Sequence, residues 1–147
     1  MYKAVVSTNM FEMSQIGERL RTQDNRITAN PIFMVQELKR TWGIDTDYDP
    51  EITWLHDDEA VEVDPKKAKA LERLYQYCGV EHEGYRRVGY VEEWVHVQPF
   101  FTEAAADLYI KQNGHNHKGR LRTYVESAYR NHEWNAVREY LKNSFQK

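Results

Sequence analysis

The sequence predicts an α+β fold: a small antiparallel sheet of about three strands packed against helices, with a C-terminal helical module. Three observations lead there. Runs rich in β-branched and aromatic residues at 31–36, 52–56 and 86–97 are bounded by Pro, Gly and Asp. Asp64-Pro65 and Thr102-Glu103 each open a stretch with good helix formers and apolar residues at helical spacing. Asn131 opens a last stretch in which Trp134, Val137, Leu141 and Phe145 recur three or four residues apart.

In chain order, residues 1–30 are polar and mixed. Met10, Phe11, Met13 and Ile16 would start only a short helix, because Gly17 weakens it, so residues 1–30 are expected to be a mobile or peripheral segment. Pro31 introduces Ile32-Phe33-Met34-Val35-Gln36, the first strand, which runs on toward Trp42 with Gly43 ending it. Asp45 to Pro50 is an acidic turn, Ile52 to His56 a second strand, and Val61-Glu62-Val63 a brief edge segment. Asp64 caps a helix from Pro65 to about Tyr77, stopped by Gly79; Ala68, Leu71, Leu74, Tyr75 and Cys78 share its inward face. In the strand from Arg86 to Val97, Val91, Val95 and Val97 lie on one face and Tyr90, Trp94 and His96 on the other; Pro99 is expected to end its pairing.

Thr102 caps a helix over Ala104–Gln112 in which Leu108 and Tyr109 pack inward. Asn113-Gly114 stops it, Gly114 taking the left-handed position, and His115 to Gly119 is a loop. Leu121 to Tyr129 reads as a short helix or the beginning of a strand. The last helix runs from about His132 to Phe145.

A chain of 147 residues fits a single domain, here 1–147, with 1–30 at its margin. At 41% hydrophobic but 13% aromatic, the core is expected to be built on rings. The lone Cys78 excludes an internal disulfide and a cysteine-based zinc site, and reads as a small core residue. Residues 1–10 lack the apolar core of a signal peptide, and no run has the length of a membrane span, so the expected location is the cytoplasm, with no membrane partner. The net charge of −3 hides an asymmetry. Nine carboxylates lie between Asp45 and Asp64 with no Lys or Arg, whereas Lys118, Arg120, Arg122, Arg130, Arg138, Lys142 and Lys147 outnumber Glu126, Glu133 and Glu139 toward the C-terminus. Solvated faces explain most of this; a macromolecular contact surface is the functional alternative.

The motifs point away from catalysis. His115-x-His117 with His132 as a third ligand is a weak metal pattern, and the Asn113-Gly114-His115-Asn116 run is explained by helix termination, so neither metal nor cofactor is expected. His132 and Glu133 diverge by about 100° on a helix and do not converge on one substrate atom. Asp45-Thr46-Asp47-Tyr48-Asp49 starts like a calcium loop, but Pro50 stands where the loop needs Gly and His56 where it needs Glu. No nucleophile elbow, phosphate loop or paired-Cys element occurs. What punctuation leaves unexplained is His115, His117, Lys118, Arg120, Arg122 and Arg130; with Tyr124, Arg138 and Lys142 the basic residues read as phosphate contacts beside a ring that stacks on a base. Arg130 also has the alternative of pairing with a carboxylate across the fold.

The motifs Gln98-Pro99-Phe100-Phe101-Thr102-Glu103, Asn113-Gly114-His115-Asn116, Arg122-Thr123-Tyr124-Val125, Tyr129-Arg130-Asn131 and Glu133-Trp134, with Asn30 to Gln36 upstream, resemble small accessory proteins of tailed bacteriophages and prophages. The resemblance spans roughly residues 28–142; the Lys-rich turn His117-Lys118-Gly119-Arg120 departs from its pattern. It implies a protein acting in the bacterial host cytoplasm and carries no catalytic residues with it. The expectation is a non-enzymatic accessory protein that binds a host or phage protein, modulating host defence or DNA metabolism. The alternatives are a nucleic-acid binder using the basic C-terminal region, and a metal-dependent enzyme with a His-based site. The oligomeric state is open.

Overall fold

The computed structural model describes residues 2–59 and 61–144, with side-chain environments from residue 9 onward. It is α+β, with helices α1 (Tyr2–Thr22), α2 (Pro65–Cys78), α3 (Glu103–Asn113) and α4 (His132–Asn143). The strands are β1 (Pro31–Ile44), β2 (Glu51–His56), β3 (Val61–Glu62), β4 (Tyr85–Phe100) and β5 (Leu121–Ser127), hydrogen-bonded in the order β3-β2-β4-β1-β5. Among the described residues five strands stand where about three were expected. The brief edge segment expected at 61–63 pairs as β3, the ambiguous stretch from Leu121 is the strand β5, and β4 runs through Pro99 rather than stopping at it.

The chain forms two compact units: the described residues up to Leu38 together with those from Trp94 on, and Lys39–Glu93. The first unit holds α1, α3, α4 and β5. Its core is Phe33, Val35 and Ala106, against which Val97, Phe100, Tyr109, Ile110, Leu121 and Val125 pack. The second holds β2, β3 and α2 around Trp54, Val63 and Leu71, with Ala68, Tyr75 and Tyr85 alongside. Both cores contain large rings, as the composition implies.

Local signals placed the helix ends well. Asp64 accepts from Lys67 N, Thr102 from Ala105 N and Asn131 from Trp134 N, and Gly79 is left-handed at φ 72°. Signals that depend on packing did not. Residues expected to start only a short helix form the long helix α1, and Gly17 inside it is a packing device: a Cβ there would collide with the Leu141 carbonyl oxygen of α4. Arg21 of α1 also donates to the Lys142 carbonyl (2.8 Å). Gly114 has φ −57°, not the expected left-handed value, because the chain continues into a tight turn at Gly114–Asn116 instead of stopping. Leu108 is 46% exposed; the inward face of α3 is carried by Ala106, Tyr109 and Ile110.

Cys78 is exposed, since the α2 stripe is buried only as far as Tyr75 and the helix ends one turn later; Leu74 is exposed as well. On α4, Val137 is exposed, while Arg138 is buried and donates through Nη2 to Asn30 Oδ1 (3.1 Å). Phe145, expected on the same face, lies outside the described residues. No helix among the described residues is long and apolar enough to cross a membrane.

Candidate functional site

The alternation of β5 sorts its residues onto two faces. Leu121 and Val125 join the core beside α3, and Thr123 Oγ1 donates to Asp107 Oδ1 of α3 (2.8 Å). Arg122, Tyr124 and Glu126 therefore face the other way. The same logic on β1, where Phe33 and Val35 are core, places Met34 and Gln36 on that second face; they are the register partners of Tyr124 and Arg122. On β4, Val97 is core, so Trp94 and His96 share it.

These residues assemble around one guanidinium. Arg122 Nε donates to Gln36 Oε1 (2.9 Å), which orients the side chain. The guanidinium lies 4.0 Å from the Trp94 ring centre and 4.9 Å from that of Tyr124, a cation in contact with two aromatic rings. Arg120 reaches the same indole at 5.4 Å. The nearby acid Glu126 is engaged by His96, Oε1 to Nε2 at 2.6 Å.

Some other arginines are neutralised by carboxylates. Arg26 pairs with Glu103, Arg40 with Glu62 and Glu92, and Arg87 with Glu72. The Arg87 hydrogen bonds hold Glu72 down at about 2, against the opposing effect of its burial. The Arg26 hydrogen bond likewise lowers Glu103. Among the described residues, neither Arg120 nor Arg122 has a carboxylate within ion-pair distance. Their positive charge is held in place by neutral groups and is available to an outside anion.

Of the other sequence-nominated residues, His117 turns inward. Its Nδ1 meets Glu37 Oε1 (2.7 Å) and its Nε2 meets Tyr109 Oη (3.1 Å), so both ring nitrogens are used. With the His117 and Glu37 side chains only 19% and 12% exposed, this chain of bonds pins the 114–120 connection to β1 and α3. His115 and Lys118 are exposed on that connection, and His132 is exposed at the start of α4. No group of three His, Cys, Asp or Glu able to hold a metal ion occurs among the described residues. Arg130 is left-handed (φ 68°) and lies over the exposed ring of Tyr129 at 5.2 Å; among the described residues no carboxylate pairs with it, unlike the alternative considered from sequence. The acidic turn is a short 3-10 helix capped by Asp45, with Asp49 left-handed.

The sequence thus singled out Arg120, Arg122 and Tyr124 but missed Trp94 and Gln36 as their partners. The alternation of β4 already separated Trp94 and His96 from Val95 and Val97; nothing local told which strand would lie against them. A separate shallow cleft of roughly 270 Å³ is lined by Phe101, Asn131, Glu133, Trp134 and Val137, with the Phe101 and Trp134 rings stacked at 4.1 Å. Its walls carry no paired acid and base. Comparison of the chain with family models, with curated proteins and with solved structures gave no match.

Proposed function

We propose that this protein is a nucleic-acid-binding module whose contact surface is the Arg120, Arg122, Trp94 and Tyr124 cluster. One observation carries the reading: Arg120 and Arg122 converge on one indole, a glutamine orients Arg122, a tyrosine ring lies beside it, and among the described residues neither arginine has a carboxylate within ion-pair distance. A guanidinium stacked on an aromatic face keeps its outer N–H donors for phosphate oxygens. The likeness of its motifs to phage accessory proteins gives such a module a setting in an infected bacterial cell, where a host or phage nucleic acid is the macromolecule bound.

The test is fluorescence anisotropy with a labelled oligonucleotide at 50 and 200 mM NaCl. Two phosphate contacts predict an affinity loss of about 7-fold over that range for a single strand. R120Q, an exposed change, should weaken binding severalfold, and R120E/R122E should abolish it with helix content preserved by circular dichroism. Binding that ignores salt and both substitutions, or no binding at 50 mM NaCl, sinks the reading. Saturable binding of an acidic host protein at this face in place of oligonucleotide would favour a protein partner.

A further inference from the structure

Resting on that reading, we infer that the ligand is single-stranded, with one base stacked on the Tyr124 ring while Arg122 holds the adjoining phosphate. Tyr124 sits on β5, the end strand of the sheet order, and is 45% exposed. Its ring contacts the Arg122 guanidinium, and no hydrogen bond or other ring engages it among the described residues. A tyrosine in a strand half-exposed beside a charged group leaves apolar area in water unless something covers it.

Charge complementarity selects the occupant. Arg122 spends Nε on Gln36, and its terminal nitrogens have no acceptor among the described residues. Those donors lie next to a half-exposed ring, so the surface offers a cation and an accessible aromatic surface side by side. A nucleotide presents the matching pair, a phosphate and a base. In a duplex each base is covered above and below by its neighbours and offers only its edges in the grooves. An unpaired base offers its whole face, and base–aromatic stacking tolerates any base. The carboxylate closest in sequence on this face, Glu126, is engaged by His96 and so opposes a phosphate less than a free acid would.

The experiment uses the full chain with three ligands: a single-stranded oligonucleotide tested as DNA and as RNA, the same sequence as duplex, and heparin, a polyanion without bases. The variants are Y124L and Y124F, both checked for an unchanged melting temperature. The single strand should bind at least tenfold tighter than the duplex. Y124L should lose about 5- to 160-fold on the single strand, little on heparin, and Y124F should retain most affinity. Equal affinity for duplex and single strand, or an equal Y124L loss on heparin, overturns the stacking inference while leaving the arginine surface intact. Failure of all three ligands to bind overturns the proposed function itself.

Discussion

Replacing Glu72 by Gln removes the charge at the centre of the second unit's polar network. Glu72 Oε1 accepts from Trp54 Nε1 (3.0 Å) and Arg87 Nε (2.9 Å), and Oε2 from Arg87 Nη2 (2.9 Å) and Gln76 Nε2 (3.0 Å). Four donors on one carboxylate explain why its pKa falls from 4.5 to about 2. At about 1.4 kcal/mol per pH unit, that is a preference of roughly 3 kcal/mol for the ionised form. The side chain is 31% exposed, so solvent screening reduces the expected loss for Glu72→Gln to about 2 kcal/mol. Because the folded-state pKa is depressed, the stabilisation is fully present above the unfolded value near 4.5 and is lost as pH falls toward 2. Thermal denaturation at pH 7 should show a drop of about 4–8 °C. The gap between wild type and variant should shrink by more than half at pH 3. A gap of the same size at both pH values, or one below about 0.5 kcal/mol at pH 7, would refute the assignment of Glu72 as the ionised acceptor of this network.

Two glycines on helical backbone should respond in opposite ways. Gly17→Ala forces α1 away from the Leu141 carbonyl and should cost about 1–3 kcal/mol in chemical denaturation. Gly114→Ala meets nothing at φ −57° and should be neutral or stabilise by about 0.4–1 kcal/mol; equal effects at both sites would contradict the close α1–α4 approach. His117→Leu takes one hydrogen bond from Tyr109 and one from Glu37, so it should destabilise by about 1–3 kcal/mol and speed proteolysis within 114–120. An unchanged cleavage rate there would remove the pinning role.

The limits of legibility follow the range of the forces involved. Helix caps act over three residues, so Asp64, Thr102 and Asn131 were readable one by one. The path of β5 was ambiguous because Leu121 to Tyr129 carries no decisive period; pairing with Pro31–Glu37 of β1 settles it as strand. Gly17 was read as a weakness because propensity alone sees only its missing side chain, whereas the missing Cβ is what lets two helices touch. His115 and His117 looked equivalent at a spacing of two, and only the position of Glu37 and Tyr109 separates an exposed ring from a pinned one.

The sequence by itself determined the α+β class, most of the helix termini, the acidic middle and basic end, and the identity of the arginines and tyrosine worth following. Only the tertiary structure decided which neighbours those arginines meet. That outcome hangs on partners such as Gln36, 86 residues before Arg122, and on Trp94 of another strand. Charge is a property of the residue, but its availability is a property of the neighbours that folding brings within a few ångströms.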